Sequence, residues 1–206
     1  QILDPEHAIN AARILGDDLE PHLFKHFHHP DTPLIMVLSN RVNDDGRPKG
    51  MADAGTFWHS DVSYKPNPAK ATLLHAVEVP DQGGDTLFCN LTDAYEAMPG
   101  DLREKLDGLT AMHDYNHLPR DVFSTLKITP PPPCSQPVVR THPETGRQAI
   151  YINPAYTTHF EGMAEDESAA LMKQIFSHCL EDRFRMRYIW RAGDVVAWDN
   201  AATMHS

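Results

Sequence analysis

The chain has 206 residues, of which 41% are hydrophobic, and a formal net charge of −11 at pH 7; this composition supports one sizeable core, and the length favours a single domain over residues 1–206. The acidic balance and the scattered basic residues argue against a nucleic-acid partner. No apolar run approaches the roughly 20 residues of a membrane span, so a soluble cytoplasmic protein without a membrane partner is expected.

Helices are predicted at three places along the chain. An amphipathic helix over residues 4–15 begins at the capping pair Asp4 and Pro5 and ends at Gly16. A second helical region is predicted over residues 101–106. The clearest helix covers residues 165–180, because its apolar residues fall on one stripe.

Short β-rich runs alternate with proline and glycine, which predicts a mostly β sandwich or barrel. The predicted strands are residues 34–39, 71–79, 138–141, 149–153 and 195–198. Residues 143–146 are predicted to join two of these strands as an antiparallel hairpin. Residues 118–137 include four consecutive prolines and are predicted to form a long loop or lid.

The residues with the clearest chemistry are His59, Asp61 and His205. The aromatic and β-branched residues of the segment 57–64 favour a strand, in which side chains at i and i+2 point to the same side. Two imidazoles and one carboxylate are the ligand set that holds non-haem Fe(II) and leaves positions open. Taken alone, a His-x-Asp triplet also arises by chance or in a surface strand.

Four ordered blocks carry a resemblance to a known family. They are Trp58–Tyr64, Glu78–Thr86, His142–Asn153 and Arg191–His205. Together they resemble the taurine dioxygenase-like (TauD/TfdA) branch of the Fe(II)- and 2-oxoglutarate-dependent dioxygenases. The resemblance implies a mostly β fold with flanking helices around a double-stranded β-helix, or jelly-roll, core.

The same resemblance implies the chemistry. His59, Asp61 and His205 are expected to be the catalytic metal ligands, with Fe(II) as the metal and 2-oxoglutarate and O2 as cosubstrates. The expected reaction hydroxylates a small anionic organic acid and releases succinate and CO2. Related enzymes self-associate, so a homodimer or homotetramer is expected.

The resemblance also assigns residues around the metal. Thr86 matches a threonine that helps bind the distal carboxylate of 2-oxoglutarate, a role suited to a hydroxyl donor; its alternative is a turn or strand-start threonine. The family's anchoring arginine is expected beyond Ser206, and both ends of the chain are expected to be incomplete. Gly55, Thr56 and Phe57 are expected to shape one pocket wall, and Gly55 replaces an asparagine of the taurine enzyme, which argues against taurine as substrate.

Two polar residues, Asp199 and Asn200, are expected either to orient His205 or simply to form a turn. Trp58 and Trp198 are expected to pack beside the metal rather than take part in chemistry. Cys89, Cys134 and Cys179 have no paired CxxC spacing and are predicted to be ordinary thiols.

Two other histidine groups are interpreted as unrelated to the metal. The segment His113–His117 has Asp in place of the glutamate of a zinc-protease helix, and Pro119 follows closely. The His-rich tract of residues 22–29 is predicted to be a solvated loop or helix face. The alternative function for the whole chain is a non-catalytic jelly-roll protein of the same descent that binds a metal or ligand.

Overall fold

The structure is a computed structural model that describes residues 3–52, 54–117 and 129–206. Its helices are α1 (Pro5–Arg13), α2 (Leu91–Glu96), α3 (Gly100–Glu104) and α4 (Glu165–Cys179), with 3-10 turns at Lys25–Phe27 and Asp182–Phe184. Its strands are β1 (His28–His29), β2 (Thr32–Met36), β3 (Ala71–His75), β4 (Thr86–Asn90), β5 (Thr110–His113), β6 (Cys134–Pro137), β7 (Val139–Thr141), β8 (Gln148–Ile150), β9 (Thr157–Phe160), β10 (Arg185–Tyr188), β11 (Val195–Asp199) and β12 (Thr203–His205). The predicted mostly β character with few helices is confirmed.

These strands pair antiparallel in small sheets. The pairs and triplets are β1–β2, β10–β4–β12, β11–β3, β6–β5–β9 and β7–β8. The pair β3–β11 and the pair β4–β12 carry the side chains around the proposed metal. Within the described parts of the chain, every helix is too short or too polar to cross a membrane.

The predicted cap of the first helix, the apolar stripe of the last helix and the hairpin are confirmed. Asp4 caps α1 by accepting a hydrogen bond from the backbone N–H of His7, and a proline opens the helix. The apolar stripe of α4 lies against the main core, into which Leu171 and Ile175 are buried. The hairpin is formed by β7 and β8, and Gly146 in its turn has the positive φ of 71° that favours glycine.

The predicted loop over residues 118–137 is too long at its C-terminal end. Residues Cys134–Pro137 form β6, which pairs with β5 at the edge of its sheet. An edge strand needs only one partner and tolerates a proline, which is why a proline-rich run can still end in a strand. Residues 118–128 lie outside the described residues, so the lid stays a prediction.

Two apolar clusters fill the interior. The larger packs α2 and α4 against the strands. The smaller is aromatic and consists of Phe24, Met51, Tyr64, Tyr115, Ala155 and Tyr156. The ring of Tyr156 lies edge-on to the ring of His59, with centroids 6.1 Å apart, so the aromatic cluster borders the proposed metal centre.

The cysteines are free thiols, as predicted. Cys89 and Cys179 are buried, and the Cys89 thiol donates a hydrogen bond to the carbonyl of Cys179. Burial raises the pKa of Cys89 to about 12. A thiol that stays protonated is a poor nucleophile and metal ligand, so this pair is structural.

His113 is a buried polar residue at the end of β5, not part of a zinc-binding helix. Its Nδ1 lies 3.1 Å from Ser63 Oγ and its Nε2 lies 3.2 Å from Thr157 Oγ1. Asn153 Nδ2 also donates to Ser63 Oγ, over 3.0 Å. The buried hydroxyls satisfy both ring nitrogens, which lets the imidazole stay in the core.

His113 should make the protein sensitive to acid. Burial lowers the pKa of His113 from its ordinary 6.5 to about 4. Between these values the unfolded chain binds more protons than the folded one, so stability is present at neutral pH and falls as the pH decreases through this window. We expect this residue to remove roughly 2 kcal/mol of unfolding free energy between pH 7 and pH 4.5.

Urea unfolding at both pH values measures the effect. In His113→Gln the loss on acidification should be smaller than in the wild type by about that amount. The exposed His117, four residues away, provides the matched control His117→Gln, which should keep the wild-type loss. Equal pH dependence in all three proteins would contradict the assignment to His113.

Candidate metal centre

The structure brings together His59, Asp61 and His205, the three residues predicted to bind metal. Their ligand atoms all lie within 4.8 Å of one another. His59 Nε2 is 3.3 Å from Asp61 Oδ1, and His205 Nε2 is 3.8 Å from Asp61 Oδ2. Both imidazoles are buried. The two nitrogens and the carboxylate therefore converge on one point.

The two histidines are placed by an isolated β-bridge. The N–H of His59 donates to the carbonyl of His205 over 2.9 Å, and the reverse bond is 2.8 Å. His205 also lies on β12, opposite Phe88 of β4. Backbone pairing thus joins segments that are far apart in sequence.

The prediction that residues 57–64 form a strand is wrong. After the bridge at His59 the chain turns at residues 61–64. Val62 has a φ of +59°, a strained conformation for a β-branched residue. The turn, rather than the i, i+2 spacing of a strand, directs Asp61 toward the histidines, and Asn200 Oδ1 holds it by accepting from the Asp61 N–H over 3.2 Å.

The carboxylate of Asp61 is held from behind by two donors. Its Oδ2 accepts from Thr72 Oγ1 over 2.7 Å and from Trp198 Nε1 over 3.2 Å. Thr72 and Trp198 lie opposite each other in the β3–β11 pair. Asn200 Nδ2 donates to Thr72 Oγ1 over 2.9 Å, which completes the network. Such outer contacts fix the direction of a metal ligand.

The prediction that Trp198 packs beside the site is confirmed and gains a hydrogen bond, whereas the prediction for Asn200 needs correction. Trp198 packs beside the metal centre, with its ring centroid 4.7 Å from that of His205, but its indole nitrogen also binds a ligand carboxylate. Asn200 does orient one of the predicted ligands, but it holds Asp61 and not His205. The side chain of Asp199 points away from the site and accepts a hydrogen bond from Nε2 of His142. The register of β11 on β3 explains both outcomes, because it delivers Trp198 to the side of Asp61.

The protonation states of His59, His205 and Asp61 are those in which these side chains can bind a cation. The carbonyl of Phe57, which can only accept, lies 2.7 Å from His59 Nδ1, so that nitrogen carries the proton and Nε2 presents a lone pair. Burial lowers the pKa of His205 to about 4, which keeps it neutral. Burial by itself raises the pKa of Asp61, but attraction to the two imidazoles when they carry a positive charge, together with the Thr72 hydroxyl, outweighs it and holds that pKa well below its usual range, so the carboxylate is ionised.

Neutral imidazoles beside an ionised carboxylate leave electron pairs that face one another. A divalent cation between them removes that repulsion, and these are the protonation states that metal binding requires. Two nitrogens and one oxygen are also a ligand set for non-haem Fe(II). The donor set of this chain therefore fits the metal.

Thr86, the predicted cosubstrate contact, is the first residue of β4. Its side chain points to the same face of the strand as Phe88, whose ring centroid is 6.0 Å from that of His205. Its Oγ1 accepts from Trp190 Nε1 over 2.9 Å, a contact that the sequence did not reveal. Within the part of the chain that the structure describes, the hydroxyl hydrogen has no acceptor and can be donated to a ligand.

The predicted pocket residues lie beside His59. Gly55 has a φ of 80°, and a Cβ built on it would lie 3.7 Å from Cε1 of His59. Thr56 and Phe57 are exposed, and the carbonyl of Phe57 holds the His59 ring. These residues therefore lie along one side of the candidate metal centre.

The prediction of a solvated His-rich tract is wrong for His22. This residue is half-buried, and its ring stacks at a tilt on Phe24 with centroids 5.1 Å apart. Burial lowers the pKa of His22 to about 4, while the negative charge of Asp61 acts in the opposite direction. His22 therefore lies within electrostatic reach of the metal centre, and nothing in a run of histidines distinguishes it from its exposed neighbour His26.

Comparisons with known proteins agree with this geometry. A family model, described as "Taurine catabolism dioxygenase TauD, TfdA family", matches residues 1–206. The alpha-ketoglutarate-dependent 2,4-dichlorophenoxyacetate dioxygenase of a Burkholderia species is 32% identical, and the alignment covers 100% of this chain and 73% of that protein.

Solved structures are also similar. A taurine dioxygenase from Burkholderia xenovorans is 37% identical, with a TM-score of 0.64, over 73% of this chain and 51% of that chain. A further structure from the same organism is 30% identical, with a TM-score of 0.80, over 100% of this chain and 68% of that chain. This chain thus spans about half to three quarters of the length of these relatives. The match over all residues shows that the protein belongs to the taurine catabolism dioxygenase TauD, TfdA family.

Proposed function

We propose that this chain forms the metal centre of an Fe(II)- and 2-oxoglutarate-dependent dioxygenase, 2-oxoglutarate being alpha-ketoglutarate. The proposed reaction hydroxylates a small anionic organic acid and releases succinate and CO2. The observation that carries the proposal is the convergence of His59, Asp61 and His205, whose ligand atoms all lie within 4.8 Å of one another. When bound, Fe(II) with 2-oxoglutarate and O2 supplies the oxidising power.

The residues of the chain hold and shield this chemistry. His59 and His205 each offer an imidazole nitrogen, and Asp61 offers a carboxylate oxygen. Thr72 and Trp198 hold Oδ2 of Asp61. The aromatic cluster beside His59 limits access by water, which strengthens electrostatic interactions inside the site.

Thr86 is proposed to donate its hydroxyl hydrogen to the distal carboxylate of 2-oxoglutarate. The indole of Trp190 already donates to Thr86 Oγ1, so the Thr86 hydroxyl is directed to donate elsewhere. A hydrogen bond to a charged group contributes about 1.5–3 kcal/mol, so we expect Thr86→Val to raise the KM for 2-oxoglutarate roughly tenfold or more. Succinate release in the full-length protein measures it.

Thr86→Ser is the matched control, because it keeps the hydroxyl. It should stay within a few-fold of the wild type. If the valine and serine variants have the same KM, Thr86 is a strand-start threonine and not a cosubstrate ligand.

The substrate is proposed to be a small organic acid. Two similar proteins are named for 2,4-dichlorophenoxyacetate and for taurine, both small acids. Gly55, Thr56 and Phe57 are proposed as one wall of the pocket. We also propose that residues 1–206 fold as one domain around a double-stranded β-helix, in a cytoplasmic protein that forms a dimer or tetramer.

Anaerobic titration of the metal-free full-length protein with Fe(II) and 2-oxoglutarate tests the proposal. We expect the weak visible charge-transfer band of the metal chelate, and we expect His205→Ala to abolish it. Bound iron without that band would favour the alternative, a non-catalytic metal-binding protein. An arginine shortly after His205 in the full-length sequence would favour the enzyme, because a guanidinium binds a carboxylate through two hydrogen bonds.

A further inference from the structure

His142 is buried in the turn of the β7–β8 hairpin, outside the ligand set. Its Nδ1 accepts hydrogen bonds from the backbone N–H groups of Glu144 and Thr145, over 3.1 and 3.2 Å. A ring nitrogen that accepts carries no hydrogen, so the proton of the imidazole lies on Nε2. That nitrogen donates to Oδ2 of Asp199 over 2.5 Å. The hairpin thus fixes both the tautomer and the direction of His142.

Asp199 is the last residue of β11 and lies between Trp198 and Asn200, which both bind Asp61. Consecutive side chains of a strand point to opposite faces, so Asp199 points away from the metal centre and reaches His142. Its Oδ1 accepts from the backbone N–H of Ala201 over 2.8 Å. The end of β11 is therefore fixed on both faces.

We propose that His142 is a positioning residue for the metal centre. Through Asp199 it holds the end of β11 in place, so that Trp198 and Asn200 stay in hydrogen-bonding range of Asp61. Loss of this contact leaves the ligands present but lets the carboxylate of Asp61 turn. The inference rests on the proposed function because it requires a metal at Asp61.

Two substitutions separate the roles of the two ring nitrogens. His142→Asn keeps an oxygen that can accept from the turn, as Nδ1 does, but its short side chain does not reach Asp199. His142→Gln places an amide donor near the position of Nε2, so the bond to Asp199 can form. If His142 only stabilises the hairpin, asparagine is the better replacement; if it positions the metal centre, glutamine is.

Cobalt(II) titration of the metal-free, full-length protein distinguishes them, with the visible absorption of the bound ion as the readout. We expect His142→Asn to weaken Co(II) affinity about 10-fold, the lower end of the effect of losing a direct contact behind a metal ligand, because His142 acts through Asp199. His142→Gln should remain within about threefold of the wild type. Glu144→Gln, which changes an exposed charge in the same turn, is the control and should bind as the wild type does.

Asp199→Ala removes the contact to His142 from the other side, together with the hydrogen bond from the Ala201 N–H, and leaves the hydrogen bonds of the hairpin intact. It should weaken Co(II) binding at least as much as His142→Asn does, and the double variant should bind no more weakly than Asp199→Ala alone. This second variant keeps the test open if His142→Asn does not fold.

The possible results are distinct. Equal affinities of the asparagine and glutamine variants, or additive losses in the double variant, overturn the inference. A wild-type protein that binds no Co(II) contradicts the proposed function itself. If the wild type binds Co(II) no more tightly than His142→Asn, only the positioning role is contradicted.

Discussion

Asp61→Ala should abolish Fe(II)-dependent turnover while leaving most of the fold in place. Asp61 supplies the only carboxylate of the ligand set that the described residues form, and its charge offsets the charge of the metal. Without it, two neutral imidazoles remain, and metal affinity should fall at least as far as the 10- to 100-fold typical of losing an outer contact. Succinate release and the anaerobic charge-transfer band both measure the loss. His59→Ala carries the same expectation.

The matched control is Asp107→Ala, at an exposed carboxylate in the turn after α3. It should have wild-type turnover. Circular dichroism of Asp61→Ala, His59→Ala and Asp107→Ala, compared with the wild type, shows whether the fold is retained. Turnover in folded Asp61→Ala at the level of Asp107→Ala would rule out the proposed metal centre.

Thr72→Val should weaken Fe(II) binding about 10- to 100-fold, although Thr72 does not bind the metal. Its hydroxyl donates to Asp61 Oδ2 and accepts from the fully buried Asn200. Valine has a similar shape but removes both hydrogen bonds, so the carboxylate loses its closest donor. The buried amide of Asn200 also loses a partner, which costs about 1–3 kcal/mol of stability.

Thr72→Ser restores the hydroxyl and should restore most of the affinity. Fe(II) titration under anaerobic conditions gives the affinities, and urea unfolding of the metal-free proteins gives the stabilities. Equal iron affinity of the valine and serine variants would mean that Thr72 does not orient Asp61, even if the valine variant is less stable.

The three residues that converge at the candidate metal centre could be predicted from the sequence, but the reason for their convergence could not. The type of residue at His59, Asp61 and His205 restricts the chemistry strongly. The predicted strand through these residues failed because aromatic and β-branched composition favours strands on average, whereas the chain turns at Val62 with a positive φ. Local propensity cannot anticipate a strained residue that distant contacts hold in place.

The contacts behind Asp61 depend on strand register. Thr72 and Trp198 act together because β11 pairs with β3 in the register that places them opposite each other. Neither strand alone contains that information, since a shift by one residue would turn each side chain to the other face. The same holds for His22, whose distance from Asp61 is set by tertiary packing.

The bridge between His59 and His205 also affects how the protein folds. Next to it, Ser60 Oγ donates to the carbonyl of Thr203, 143 residues away in the chain. Closing a loop of that size costs about 4 kcal/mol of chain entropy, and contacts this distant form late in folding. During synthesis, the ribosome must release nearly all of these residues before the third ligand can meet the first two. A partly synthesised chain therefore has no complete site with which to capture a wrong metal.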